Sequence, residues 1–290
     1  MDINWYPGHM LKARRLMESS LKAVDFVIEV VDARIPMASR NPDFDDLFGT
    51  KARVLVLNKA DMADPVMTKR WLRWHEEHGL PAVEFVATQR KGRDGLIKMM
   101  ERAAEEKVRR MAERGAKKTV RALVAGIPNV GKSSLINAMA GAASAKTGDR
   151  PGVTRGKQLI RITPWMELMD TPGVLWPKLD DPKGALNLAF TGAVKEEVLD
   201  SYRLALELIG ALAVQYPGAI AERYKLDGGA LPPDETLVAI ARKRGCLLHG
   251  GEPDEDRAAR LILDEMKAGK LGRLTLEKPD ENTYQQPFEL

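Results

Sequence analysis

The sequence predicts an α/β fold, a doubly wound sheet, followed by an all-α C-terminal domain. Three observations lead there. Short apolar, β-branched runs alternate with helical periodicities through the first part of the chain, the pattern of a parallel sheet with helices on both faces. A glycine-framed loop, Gly126-Ile127-Pro128-Asn129-Val130-Gly131-Lys132-Ser133-Ser134, stands between one such run and a helical stretch. Beyond Lys178–Asp181 only helical patterns remain. The expected organisation is an α/β domain over residues 1–179 and a helical domain over 180–290.

Trp5-Tyr6-Pro7-Gly8-His9 opens the chain, and a short amphipathic helix follows with Met10, Arg14, Met17 and Leu21 near one stripe. Asp25–Asp32 is mostly apolar and β-branched, and reads as a buried strand. Ala52–Leu57, Ala82–Val86 and Val120–Ala125 read as three more strands, with helices Met67–His78 and Leu96–Arg114 between them. Leu135–Ala140 carries on from the glycine-framed loop as a helix. Gln158–Thr163 and Met166–Met169 flank Pro164-Trp165 as a β-hairpin. In the second part, Leu186–Phe190, Tyr202–Gln215, Asp234–Arg244 and Pro253–Ala268 are helical. Asp234-Glu235 and Asp254-Glu255 put acids in first turns, where the helix dipole favours them. The tail from Glu281 is expected to fray.

A chain of 290 residues with 44% hydrophobic and 30% charged residues can bury a core without staples. No run approaches the ~18 apolar residues of a membrane span, and the N-terminus lacks the regions of a signal peptide. Cys246 is the only cysteine, so an intrachain disulfide is impossible and a cytoplasmic location is expected. Set between Gly245 and Leu247, it reads as a small buried apolar residue rather than a nucleophile. The net charge of +4 is unevenly placed. Residues 1–179 hold 31 Lys/Arg against 21 Asp/Glu, and the remainder 14 against 20. The basic surplus of the α/β part suggests a polyanionic partner, most simply nucleic acid. Its densest stretch is 98–121, although i,i+4 pairs such as Glu106 and Arg110 suit a solvated helix face equally well.

The glycine-framed loop has the form G-x-x-x-x-G-K-[ST]. Its backbone N–H groups and the following helix N-terminus make an anion cradle to which Asn129, Val130, Gly131 and Ser134 contribute. Lys132 is placed to reach β- and γ-phosphates, and the Ser133 hydroxyl to ligate Mg²⁺. Asn58-Lys59-Ala60-Asp61 closes the Ala52–Leu57 strand in the form N-K-x-D. The Asp61 carboxylate can accept from guanine N1–H and N2–H₂, a donor pair that adenine lacks, so an ATPase is disfavoured. Lys59 can lie over the base, and Asn58 can brace the phosphate loop. Asp170-Thr171-Pro172-Gly173 fits D-x-x-G, with Asp170 holding Mg²⁺ through a water and the Gly173 N–H meeting the γ-phosphate. Thr154, in Gly152-Val153-Thr154-Arg155, is a candidate second Mg²⁺ ligand. Ala87-Thr88-Gln89 stands where a small loop contacts the base. The nucleotide these motifs imply is GTP, with GDP as product.

The order of the motifs is unusual. In an ordinary GTPase the phosphate loop comes first and N-K-x-D last, whereas here N-K-x-D leads and D-x-x-G closes. Moving the termini restores every strand to its place, which makes this a circularly permuted P-loop GTPase. With Trp5-Tyr6-Pro7-Gly8-His9-Met10, Asp32-Ala33-Arg34-Ile35-Pro36 and a closing Gly269-Lys270-Leu271-Gly272, the sequence resembles the ribosome biogenesis GTPase A family over nearly its whole length. The resemblance implies a cytoplasmic GTP-hydrolysing factor. It would bind the maturing large ribosomal subunit, through rRNA and ribosomal proteins, and leave on hydrolysis. A monomer is expected. Ala87-Thr88-Gln89 departs from the family's Ser-Ala-Lys or Ser-Ala-Arg, which is expected to alter affinity rather than specificity.

Many GTPases orient the attacking water with a Gln after D-x-x-G. Here Val174 stands there and can do neither donor nor acceptor work, so hydrolysis by the free protein is expected to be slow. The resemblance points to His9 as the catalytic group, and an imidazole can orient water. His75, His78 and His249 show no partner pattern and read as surface residues. Asn129 suggests a K⁺ site, by analogy with related GTPases. A different class remains open: a GTP-dependent RNA-binding checkpoint for which hydrolysis is dispensable.

Overall fold

The computed structural model describes residues 7–113, 119–140, 159–175, 181–194, 200–227 and 231–279, with the side chains of 7–13, 111 and 112 excepted. These residues form two compact units, residues 7–175 with 277–279 and residues 181–276. Thr154, Trp5, Tyr6, Gln158 and the tail from Glu281 lie outside the described residues.

In the first unit six strands form one sheet: β1 Phe26–Asp32, β2 Arg53–Asn58, β3 Ala82–Glu84, β4 Val120–Ala125, β5 Leu159–Thr163 and β6 Met166–Asp170. Their order is β3-β2-β1-β4-β6-β5. All pairs are parallel except the edge hairpin of β5 and β6. An unpermuted chain would meet these strands in the order β4, β5, β6, β1, β2, β3; this one starts at β1. β3 stops two residues earlier than the apolar run suggests, because Val86 turns to bridge Lys91 in the antiparallel sense.

β1 is buried at every residue. Val27, Leu123 and Met169 face α1 (Pro7–Leu21) and α2 (Asp43–Phe48), packing with Met17, Leu21, Phe44, Phe48 and Val174. On the same face, Val31, Leu55 and Leu57 pack on Trp71 of α3 (Pro65–Glu77). Ile28, Val30, Val54, Val56 and Val124, on the alternate face, are buried too, so both faces are covered as an all-but-parallel sheet requires. α4 (Arg93–Glu113) and α5 (Lys132–Ala140) contact β2 and β4–β6. Around Trp165, α4 interleaves Lys98, Arg102 and Arg109 with Glu101, Glu105 and Glu106 rather than presenting a purely basic face.

His75 is buried, contrary to the sequence reading. It shares a face of α3 with Thr68 and Trp71, stacks on Trp71 at 5.5 Å and meets the edge of Trp74 at 5.0 Å. Burial, aided by the charges of Arg40 and His78, pushes its pKa down to about 3, so it is a neutral core residue. His78 and His249 are exposed.

The second unit is helical: α6 Pro182–Phe190, α7 Ser201–Gln215, α8 Ala219–Tyr224, α9 Pro233–Arg244 and α10 Glu255–Lys267. Asp181, Asp200 and Asp254 cap α6, α7 and α10 by accepting backbone N–H groups of the first turn. Leu204, Leu208, Leu212, Leu237, Ile240, Ile262 and Leu263 form its interior. Cys246 is free and buried, as its apolar setting suggested. The Tyr216 hydroxyl donates to the Thr275 carbonyl at 3.0 Å and accepts its N–H at 2.8 Å, fastening the closing segment. Among the described residues no helix is long and apolar enough to cross a membrane.

Candidate functional site

Asp32, Asn58, Ala125 and Asp170 each close a parallel strand, so they emerge along one edge of the sheet. That edge, outside the carboxyl ends of the strands, is where open α/β sheets bind ligands. β1 lies between β2 and β4 in the sheet, so the N-K-x-D segment after β2 and the phosphate loop after β4 flank Asp32 at the end of β1.

The phosphate loop turns at Asn129, with φ +62°, and at Gly131, with φ +94°. A Cβ on Gly131 would overlap the Asn58 amide nitrogen. That nitrogen instead donates to the Val130 carbonyl at 2.8 Å, which is the bracing role the sequence suggested. Lys59, also left-handed at φ +59°, donates to the Asn129 carbonyl at 2.7 Å and to Asp32 at 2.9 Å. The Ala60 N–H donates to the Phe85 carbonyl at 3.2 Å, which ties the base-side loop bearing Ala87 and Thr88 to N-K-x-D.

Lys132 is buried, and its ammonium donates to the Ile127 carbonyl at 2.8 Å. Burial pushes its pKa from the ordinary 10.5 down to about 8, against the pull of Asp170. Asp170 is pushed up by burial, against Lys132, the Thr171 backbone N–H and the Ser133 hydroxyl. Ser133 Oγ lies 3.5 Å from Asp170 Oδ2. The Thr171 hydroxyl donates to the Val124 carbonyl at 2.6 Å, pinning D-x-x-G to the phosphate-loop strand. Gly173 closes against Pro128 and the Lys132 ammonium. Asp170 Oδ1 is buried with no hydrogen-bond partner. A buried acceptor left open beside a serine hydroxyl fits a hydrated Mg²⁺ shared by Ser133 and Asp170.

The structure thus brings together Asn58, Lys59, Asn129, Val130, Gly131, Lys132, Ser133, Asp170 and Gly173. Thr154 and the His9 side chain lie outside the described residues. Two contributors carried no chemical role in the sequence reading. Arg34 is buried and grips Asp32 through two bonds, Nε to Oδ1 at 2.9 Å and Nη2 to Oδ2 at 2.7 Å. Although burial works against it, the charges of Arg34 and Lys59 hold the Asp32 carboxyl well below the usual carboxylate range. Arg34 in turn feels Asp32 and then Asp61, which raise its pKa against burial. Asn41 is the second, donating to the Val174 carbonyl at 3.1 Å. An acid and a base two apart at a strand end were the only local signal for the first; Asn41 had none.

A family model described as "50S ribosome-binding GTPase" matches residues 121–209. Ribosome biogenesis GTPase A of Bacillus cereus is 45% identical over 284 residues, covering 97% of this chain and 95% of the relative. The chain belongs to the ribosome biogenesis GTPase A family. The protein of that name from Thermotoga maritima is 31% identical, with 97% and 96% covered. The mouse mitochondrial ribosome-associated GTPase 1 is 35% identical, with 94% and 90% covered. The fold is similar to that of YlqF in its GDP-bound structure, at 26% identity and TM-score 0.67, covering 91% of this chain and 99% of that one. It is also similar to GNP-bound YlqF from T. maritima, at 27% identity and TM-score 0.65, covering 93% and 99%. This ribosome biogenesis GTPase A family member is therefore a circularly permuted GTPase, with a role in ribosome assembly.

Proposed function

We propose that this protein hydrolyses GTP while docked on the maturing large ribosomal subunit, and is released by that hydrolysis. The observation that carries the reading is the approach of Gly173 to Lys132 and Pro128, which puts the switch within reach of whatever the phosphate loop holds. Asp61 takes the guanine edge, and Ala87 and Thr88 flank it. Lys132 and the loop N–H groups take the phosphates. Ser133, Asp170 and Thr154 hold Mg²⁺, which supplies positive charge against the oxygens of the transferred phosphoryl group. The chain runs from Val174 through Lys178 into the helical domain, so a γ-phosphate contact at Gly173 bears on that domain first. Domain 1–179 is the GTPase engine and carries the basic surplus toward rRNA.

Val174 leaves the attacking water without an orienting side chain. His9 fills that role, and the particle supplies what sets it in place. In support, Met17 and Leu21 of the helix carrying His9 share a core with Val174. K⁺ held at the exposed Asn129 adds charge at the phosphates, and turnover is then faster in K⁺ than in Na⁺. The protein works as a cytoplasmic monomer.

The test is the GTP hydrolysis rate in K⁺ buffer with and without purified large subunits. Stimulation of at least about tenfold, lost in His9→Ala, is expected from a positioned general acid–base group. An unchanged rate overturns the docking-activated reading. The apolar Val174 also favours a second reading, a GTP-dependent checkpoint whose hydrolysis is dispensable. A hydrolysis-dead His9→Ala strain that assembles ribosomes normally would select it.

A further inference from the structure

The loop from Ala33 to Asn41 touches both halves of the nucleotide site, and a residue far along the chain holds its middle. Glu277 is buried, at 2% exposure. Its carboxylate accepts the Met37 N–H at 2.7 Å and the Ala38 N–H at 3.1 Å. Its own carbonyl accepts the Trp71 indole N–H at 3.2 Å, which fixes the segment on α3. Glu277 follows Leu276, the last residue of the helical unit, yet groups with the α/β unit.

The loop it grips is bonded within itself and to β1. Ser39 Oγ donates to the Ile35 carbonyl at 2.6 Å and accepts the Asp32 N–H at 3.0 Å, and Arg40 bonds the buried Glu29 at 3.0 Å. At one end, the Asp32–Arg34 pair receives the Lys59 ammonium of N-K-x-D. At the other, Asn41 holds the Val174 carbonyl next to Gly173. A loop tied in this way and held at Met37 and Ala38 links its two ends. The phosphate loop also meets both sides, Asn58 and Lys59 at the Val130 and Asn129 carbonyls and Gly173 at Pro128; loop 33–41 is a second link between them.

We propose that Glu277 is a positioning residue for the guanine nucleotide, acting through loop 33–41 on Lys59 and on the segment after Gly173. The inference rests on the nucleotide site assigned above. Its charge-assisted bonds to the buried Ala38 N–H and the half-buried Met37 N–H are the strong kind, and removing the carboxylate takes the acceptor from both donors. The free energy lost appears as nucleotide affinity because Lys59 and Val174 sit at the two ends of what is released.

The experiment measures GDP and GTP affinity with fluorescent nucleotide analogues for wild type, Glu277→Ala, Glu277→Gln and Trp71→Phe. Glu277→Ala is expected to weaken GDP about tenfold, and GTP further, because only GTP uses the switch end. Glu277→Gln keeps one accepting oxygen and falls between. Trp71→Phe removes the bond to the Glu277 carbonyl rather than to its carboxylate and cuts into the core; it lowers the melting temperature and leaves both affinities within twofold. A purely structural Glu277 would behave like Trp71. Folded Glu277→Ala with both affinities within twofold of wild type overturns the proposal. If Glu277→Ala does not fold, amide exchange at Met37 and Ala38 in wild type decides, with slowing by GDP expected and equal rates overturning it. Failure of the wild-type protein to bind either nucleotide would instead overturn the site reading beneath it.

Discussion

Gly173 stands so near Lys132 that a Cβ built on it would lie 2.9 Å from the ammonium nitrogen and 2.8 Å from the Pro128 backbone nitrogen. The lysine tip could move aside; the proline backbone could not. The switch glycine is thus fitted to the phosphate loop by the absence of a side chain. Gly173→Ala is expected to push the switch off the loop, costing GTP more than tenfold in affinity, on the scale of one to a few kcal/mol for overpacking. GDP, which has no γ-phosphate to meet, should bind nearly as before. Titrations with GDP and a non-hydrolysable GTP analogue check this, and equal losses for both would refute it.

Lys132 makes ligand-free stability depend on pH in a defined direction. Unfolded, it titrates at 10.5; folded, at about 8. Between those values the unfolded chain holds more protons, so stability rises as pH increases from 8 to 10.5 and is lowest below 8. Across the window the gain is on the order of 3 kcal/mol. Bound nucleotide gives the ammonium a phosphate partner, and the rise should then vanish. Lys132→Met should be more stable than wild type at pH 8 and should lack this rise, while losing nucleotide binding. Urea denaturation of both proteins at pH 8 and 10 provides the comparison. An identical pH difference in the two would show that the strain at Lys132 is absent.

What could be read from the sequence was what is contiguous. The phosphate loop, N-K-x-D and D-x-x-G are short runs whose chemistry and spacing coincide, and each ends a buried apolar strand. α2 and α8 escaped because six residues cannot pay for helix nucleation by periodicity alone. α2 exists because Phe44 and Phe48 reach the core and Asn41 Oδ1 accepts the Asp43 N–H at 3.0 Å. His75 carried a usable signal, its place four residues after Trp71 on the buried stripe of α3. Glu277 carried none. It is one of 20 acids in residues 180–290, and its partners Met37 and Ala38 are some 240 positions away.

Asn58 offers a test of how base recognition and phosphate binding are joined. Its amide nitrogen donates to the Val130 carbonyl at 2.8 Å, and Gly131 leaves it room to do so. Asn58→Ala removes the donor and leaves a buried carbonyl unpaired, a loss of about 1–3 kcal/mol. Both GDP and GTP should weaken, since the loop they share is no longer braced. Asn58→Asp keeps the shape but points a carboxylate oxygen at that carbonyl, so it should be worse than alanine for both nucleotides. Nucleotide affinity and urea stability of the two variants separate the effects. If aspartate matched wild type, the amide would not be donating to Val130, and the coupling of N-K-x-D to the phosphate loop would have to run through Lys59 and the Asn129 carbonyl alone.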